Sequence, residues 1–115
     1  MLTALLLTHL LVASGDAQGE LSVSSLLSQH TCWRVPHAHQ DAITALAWSP
    51  DGLLLASGGQ DGLVHVWKAN TGELLQSFCH GSRVERLHWS PTSLLASASE
   101  AHLRLWFVQP AAPVC

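Results

Sequence analysis

The sequence predicts an all-β fold built from repeated four-stranded antiparallel meanders. In its most regular stretch, four apolar runs of strand length alternate with short segments rich in Gly, Asp, Asn and Pro, which favour tight turns. A Leu-Ala-Ser or Val-Ala-Ser motif recurs three times, and its serines, Ser14, Ser57 and Ser97, lie 43 and 40 residues apart. A Trp-Ser-Pro motif at Trp48 recurs 41 residues later at Trp89. A period near 40 residues is typical of stacked repeats.

The elements follow in order from these periods. The first repeat, residues 1–36, is degenerate, with predicted strands at 2–7, 10–14, 21–24 and 32–35, the last stopped by Pro36. The second repeat, residues 37–79, is well formed, with predicted strands at 43–48, 53–57, 63–68 and 74–79. The third repeat, residues 80–115, has predicted strands at 84–89, 94–97 and 102–107. It lacks a clear fourth strand, because two prolines interrupt residues 108–115.

The apolar N-terminus has two interpretations. Residues 1–15 could be a signal peptide, which would make the protein a small secreted β protein. The apolar run is too short to span a membrane as a helix. We favour strands, because no basic residue precedes the run and because Leu11–Gly15 repeats the sequence pattern of residues 54–58. In the same way, residues 2–5 match residues 43–46.

Composition limits the classes of function. Hydrophobic residues make up 48% of the chain and charged residues only 11%, so a packed core is expected. The net charge is −3 with five Lys and Arg, too few to form the basic face of a nucleic-acid-binding protein. Cys32, Cys79 and Cys115 are widely spaced and form no CxxC pair, which supports neither a zinc knuckle nor a disulfide framework. We therefore predict an intracellular, cytoplasmic protein.

These repeated motifs resemble the WD40 repeat of β-propellers. In that family a His before the first strand, a Ser in the second, an Asp in the following turn and a Trp in the third form a hydrogen-bonded chain. The resemblance implies this role for His39, Ser57, Asp61 and Trp67 in the second repeat, and for His80, Ser97 and Trp106 in the third. In the third repeat the turn is one residue shorter, and Glu100 or Ala101 replaces the Asp. In the first repeat Gln18 and Ser24 occupy the Asp and Trp positions.

Catalytic and metal sites are poorly supported. His39, Ser57 and Asp61 are the residue types of a hydrolase triad, but no Gly-x-Ser-x-Gly elbow surrounds Ser57. His37 and His39 could chelate a metal from one face of a strand, yet no third ligand has a usual spacing. The Gly-rich turn before residue 63 lacks the Gly-Lys-Ser/Thr ending of a phosphate-binding loop. We predict no enzyme activity, no metal and no cofactor.

The number of repeats suggests an incomplete propeller of about three blades. Propellers close with about four to eight blades, so three leave two open apolar faces. We expect a segment or short isoform of a larger WD40 protein, or a chain that completes a ring with blades of other chains. A truncated isoform that competes with its parent for partners is the other possibility within this class.

The resemblance implies a non-catalytic scaffold for protein–protein interaction. Peptides or domains of protein partners would bind the loops of the propeller, and neither nucleic acid nor membrane is expected. Loop residues that the fold does not require are candidates for this contact. They are Gln40, Asp41, Gln60, Arg83 and Glu100.

Overall fold

The computed structural model describes residues 2–6, 10–92 and 94–108 and confirms the all-β prediction. The strands are β1 (Leu2–Leu6), β2 (Leu11–Gly15), β3 (Leu21–Ser25), β4 (Thr31–Val35), β5 (Ile43–Trp48), β6 (Leu54–Gly59), β7 (Leu63–Lys68), β8 (Leu74–Cys79), β9 (Arg86–Trp89), β10 (Leu94–Ala98) and β11 (Leu103–Phe107). The part of the chain that the structure describes contains no helix long and apolar enough to cross a membrane.

The strands form three antiparallel sheets in chain order, which we call blades 1 to 3. Blade 1 contains β1 to β4, blade 2 contains β5 to β8, and blade 3 contains β9 to β11. The first strand of each blade lies next to the first strand of the following blade, β1 beside β5 and β5 beside β9. The blades therefore stack along a row of first strands, as in a propeller that has not closed.

The core consists of two apolar clusters, one at each interface between blades. Successive residues of a strand point to opposite faces of the sheet. In β7, Val64 and Val66 are fully buried and contribute to the cluster shared with Val84 and Trp89 of the blade 3 segment. Trp67, from the other face of β7, belongs to the cluster shared with blade 1. Both faces of blade 2 are thus buried, which explains why its strands are apolar on both sides.

Hydrogen bonds at three repeated positions join each blade to the next. A backbone N–H at the entrance to the first strand, a second backbone N–H at or shortly before its start and an indole N–H at its end each donate to the preceding blade. Between blades 1 and 2 these are His39 N to Gly19 O (3.2 Å), Ile43 N to Asp16 O (3.0 Å) and Trp48 Nε1 to Ala4 O (3.1 Å). Between blades 2 and 3 they are His80 N to Gly62 O (2.9 Å), Val84 N to Gly59 O (3.1 Å) and Trp89 Nε1 to Ala47 O (3.0 Å).

Several strand bounds differ from the prediction by one or two residues. β9 begins at Arg86 rather than Val84. The alignment of residues 2–5 with 43–46 is wrong by two residues. Leu5 lies opposite Val12, the place that Trp48 takes opposite Leu55. Residues 7–9 and 109–115, which include the questioned fourth strand of the third repeat, lie outside the described residues.

Candidate functional site

Blade 2 contains a continuous buried chain of four polar side chains. Trp67 Nε1 lies 2.8 Å from Ser57 Oγ, and Ser57 Oγ lies 2.8 Å from His39 Nε2. His39 Nδ1 lies 3.1 Å from both carboxylate oxygens of Asp61. Ser57 is fully buried and His39 nearly so. β6 and β7 present the serine and the indole, while the segment before β5 supplies the imidazole.

The direction of each hydrogen bond follows from what the two ends can do. An indole N–H can only donate and a carboxylate can only accept. Ser57 therefore accepts from Trp67 and donates its own hydrogen to Nε2 of His39. The hydrogen of the neutral imidazole is then on Nδ1, where it bonds to Asp61. Within this four-residue hydrogen-bond chain, every buried side-chain donor and acceptor is satisfied only in this arrangement, which fixes the tautomer of His39.

The pKa shifts agree with a neutral imidazole at neutral pH. Burial lowers the pKa of His39 below 6.5, although the Asp61 carboxylate and its hydrogen bond oppose the shift. Burial alone would raise the pKa of Asp61. The N–H groups of Leu63 and Gln40, together with His39, outweigh that effect and lower it. Near pH 7 the contact between His39 and Asp61 is thus a charge-assisted hydrogen bond, and it becomes an ion pair only when His39 is protonated.

Blade 3 has a shorter version of this chain. Trp106 Nε1 lies 2.8 Å from Ser97 Oγ, and Ser97 Oγ lies 2.7 Å from Nδ1 of His80. The imidazole is thus turned relative to His39, with Nδ1 rather than Nε2 on the serine. Its Nε2 is buried and has no hydrogen-bond partner among residues 2–6, 10–92 and 94–108. The missing Asp thus has a structural consequence, since an unpaired buried polar group costs about 1–3 kcal/mol.

In blade 1 the serine of the second strand takes part in a different hydrogen bond. Ser14, the counterpart of Ser57, bonds instead to the hydroxyl of Ser22 on β3 at 2.8 Å. The Asp of its turn is displaced to Asp16, whose Oδ1 accepts the N–H groups of Gln18 and Glu20. Position 24 carries no indole N–H to donate to Ser14, and the hydroxyls of Ser14 and Ser22 bond to each other instead.

This arrangement has the chemistry of a structural element rather than of a reactive centre. The Ser57 hydroxyl is fully buried and bonded on both sides, so no substrate can reach it. A nucleophile would have to be exposed at a turn to act in a hydrolase triad. Among the described residues there is no group of three or more His, Cys, Asp or Glu side chains that could hold a metal ion.

The five candidate binding residues are all exposed and lie on loops at one end of the strands. Gln60 and Arg83 line the same cavity of about 290 Å³, which also includes Asp16 and Thr44. Arg83 and Glu100 line a second cavity of about 360 Å³. Arg83 therefore lies between the two. Gln40 and Asp41 line neither, although the N–H of Gln40 bonds to Asp61 at 3.2 Å.

Two polar contacts were not predicted from the sequence. His65 Nδ1 lies 2.7 Å from Ser77 Oγ, and the His65 ring lies 4.6 Å from the ring of His39. Burial, with a smaller contribution from His39, lowers the pKa of His65 to about 4.

Trp33 donates its indole N–H to Ala69 O at 2.7 Å, across the interface between blades 1 and 2. Trp33 lies outside the repeated positions, so periodicity carried no signal for this contact.

Comparison with known proteins places these blades in one family. A family profile described as the WD40 domain of anaphase-promoting complex subunit 4 matches residues 8–92. The chain is 38% identical over 69 residues to the small ribosomal subunit protein RACK1 of Medicago sativa, covering 59% of this chain and 21% of that protein. It is 33% identical over 107 residues to the APC/C activator protein CDC20 of Saccharomyces cerevisiae, covering 84% of this chain and 17% of that protein.

The fold agrees with these relationships. A chain in the crystal structure of the mitotic checkpoint complex superposes with a TM-score of 0.82 and 29% identity, covering 94% of this chain and 35% of that one. The present chain spans only 17–21% of the length of the two curated relatives. The profile covers most of the chain. The chain belongs to the WD40-repeat β-propeller family.

Proposed function

We propose that the chain is a non-catalytic scaffold module that operates as one part of a larger WD40 propeller and binds protein partners inside the cell. The remaining blades would come from the same parent protein or from other chains. A short isoform that occupies the place of its parent in an assembly is one form of this function.

The observation that carries the proposal is the outer face of blade 3. Leu103 and Leu105 occupy the positions that Val64 and Val66 occupy in blade 2. The two valines are fully buried against blade 3, whereas the two leucines are 71% and 65% exposed. Contiguous exposed apolar side chains on a monomer mark an interaction surface. The sequence of β11 is therefore suited to a further blade.

The close contacts between successive blades also predict the size of the side chain that such a further blade would place against blade 3. Gly15 and Gly58 allow close approach of the next blade: a Cβ on Gly15 would lie 2.6 Å from Ile43 Cγ2, and one on Gly58 would lie 2.5 Å from Val84 Cγ1. By register the corresponding residue of blade 3 is Ala98. Its methyl group occupies that space, so the neighbouring blade should carry a smaller side chain than Ile or Val at the contact.

The exposed loops provide the other half of the function. Arg83, with Gln60 on one side and Glu100 on the other, offers charge and hydrogen-bond capacity within two adjoining cavities. We propose that these three residues, with Gln40 and Asp41, contact protein partners. Replacing Asp41 and Arg83 with Ala should leave folding intact, because both side chains are exposed, and should reduce the recovery of co-purifying proteins.

The module hypothesis is tested by light scattering of the purified chain over a range of concentrations. We expect concentration-dependent association that Leu105→Glu abolishes, because a charge on the outer face of blade 3 opposes burial. The matched control is Leu27→Glu, which removes another exposed leucine (80% exposed) on the turn between β3 and β4. A monomer with one sharp cooperative unfolding transition, unaffected by either variant, would contradict the proposal.

A further inference from the structure

The outer face of blade 3 consists of a ridge of large side chains beside a furrow of small ones. Residues directly opposite one another on paired strands share a face of the sheet. On this face the register places Leu103 and Leu105 of β11 opposite Ala98 and Ala96 of β10. Phe107 continues the row on β11, and all three large side chains are mostly exposed. The alanine side chains end at Cβ, so β10 forms a furrow along this ridge.

A face of this shape is complementary to itself. A two-fold axis running along the strands between β10 and β11 lays the ridge of each copy over the furrow of the other. Sheets that pack face to face lie about 10 Å apart, which leaves room for leucine side chains above alanines. The methyl group of Ala98 fits this pairing, although it narrows the close approach that Gly58 allows between stacked blades.

The basic residues of this face lie at its border. Arg86 and His88 of β9 are exposed and stand opposite Ala98 and Ala96. The two-fold axis places the β9 strands of the two copies on opposite sides of the contact, three strand spacings or about 14 Å apart. The two Arg86 side chains therefore do not face each other, and each guanidinium keeps its contact with water.

The other open face of the chain, the outer face of blade 1, lacks the indoles that face a preceding blade elsewhere. Trp48 and Trp89 donate to the preceding blade. By register Leu5 takes their place in blade 1, and Ser24 takes the place of Trp67. A head-to-tail contact, with blade 3 of one copy against blade 1 of the next, would therefore form without either indole.

The rest of that face is rich in hydroxyl groups. Ser14 and Ser22 bond to each other, and Thr3 lies opposite Ser14. Arg34, opposite Ser22, adds a charge. Covering these groups with the leucines of blade 3 would remove them from water without supplying hydrogen-bond partners, which costs free energy. The ridge of blade 3 thus fits its own furrow better than it fits blade 1.

We propose that the outer face of blade 3 binds the same face of a second copy of the chain, with the ridge of each in the furrow of the other. The inference rests on the scaffold proposal above, because it names the partner of the face that carries that proposal. An isologous contact occupies the face in both copies, so association ends at two chains. A head-to-tail contact would instead continue into rings or filaments.

The small size of the face sets the strength of this dimer. β9 contains four residues, and β10 and β11 contain five each. At about 3.3 Å per residue along a strand and about 4.8 Å between strands, the face measures about 15 by 17 Å. Contacts of this size are typical of transient complexes. We therefore expect half of the chains to pair at about 0.1–1 mM.

Sedimentation of the full chain at concentrations up to about 2 mM tests the pairing. The matched variants are Leu105→Glu on the outer face of blade 3 and Leu5→Glu, another exposed leucine, on the outer face of blade 1. We expect the wild type and Leu5→Glu to rise from the mass of one chain towards that of two and no further. Leu105→Glu should keep the mass of one chain, because its carboxylate opposes burial.

Mixing each variant with the wild type separates the two geometries. A trace of fluorescently labelled variant is sedimented with a large excess of unlabelled wild type, and only the label is followed. Labelled Leu5→Glu should sediment faster in the mixture. Labelled Leu105→Glu should not, because its pairing face is damaged. In a head-to-tail assembly it would keep an intact blade 1 face and would still sediment with the wild type.

Ala96→Phe distinguishes fitted pairing from non-specific association of apolar surface. The substitution adds apolar area to the outer face of blade 3 but fills the furrow. We expect it to weaken the dimer about tenfold, because the ridge of the partner no longer fits. Non-specific hydrophobic association would become stronger instead. The far-ultraviolet circular dichroism spectrum of each variant shows whether it has folded.

Four results would overturn the proposal. They are a wild-type chain that keeps the mass of one chain at about 2 mM, growth beyond two chains, faster sedimentation of labelled Leu105→Glu with the wild type, and tighter association of Ala96→Phe. The last three leave the scaffold proposal intact, since the face would still be an interaction surface. The first contradicts the scaffold proposal only if the monomer also unfolds in one sharp transition that neither Leu105→Glu nor Leu27→Glu alters.

Discussion

Removal of the Ser57 hydroxyl should be among the most destabilising small changes in this chain. Ser57→Ala deletes one oxygen that accepts from Trp67 and donates to His39, each at 2.8 Å. The indole N–H and the imidazole Nε2 would both remain buried without a partner. Each such group costs about 1–3 kcal/mol, so we expect a loss of about 2–6 kcal/mol in the free energy of unfolding. Domains commonly have only about 5–15 kcal/mol in total.

Ser97→Ala provides the comparison within the same molecule. Ser97 makes the equivalent two contacts, with Trp106 and His80. Trp106 is only half-buried, so its indole N–H can bond to water once the hydroxyl is lost. We therefore expect a smaller loss, about 1–3 kcal/mol. Ser28→Ala, on an exposed turn, should change stability by less than about 0.5 kcal/mol.

The assay is urea unfolding of the full chain, followed by tryptophan fluorescence. The expected order of destabilisation is Ser57→Ala, then Ser97→Ala, then Ser28→Ala. Equal effects of Ser57→Ala and Ser28→Ala would show that the buried chain adds no stability. A larger loss in Ser97→Ala than in Ser57→Ala would refute the argument that burial of both partners sets the magnitude.

Two further predictions concern pH and packing. The pKa of His65 is lowered from 6.5 to about 4 in the folded protein, so between these pH values the unfolded chain binds a proton that the folded state does not. The free energy of unfolding should therefore fall as the pH drops from 6.5 towards 4, by up to about 3 kcal/mol. His65→Asn should reduce that fall in urea midpoints measured across this range, and an identical fall in both proteins would contradict the assignment. Gly58→Ala should cost about 1–3 kcal/mol, because the new methyl group meets Val84 Cγ1. Adding Val84→Ala should recover part of that loss, and strictly additive losses in thermal unfolding would show that the two sites do not touch.

The sequence by itself determined the fold of this protein. Turn residues at regular intervals and apolar runs of strand length specify local structure, and local structure repeated at a fixed period specifies stacked blades. The recurrence of Trp48 at Trp89 predicted equivalent places in successive repeats, and both indoles donate to the preceding blade. The degenerate positions of the first repeat could also be identified from the sequence, because Ser24 has no indole N–H like the one that Trp67 donates.

Only the tertiary structure decided how the repeats differ at their interfaces. The unpaired Nε2 of His80 and the role of Trp33 depend on distances between residues far apart in the chain. The exposure of Leu105 also depends on the assembled blades. Leu105 occupies the same position in β11 as Val66 in β7, yet Val66 is buried and Leu105 is exposed. Periodicity fixes which face of a strand a residue occupies, but whether another blade covers that face is a property of the assembled sheets.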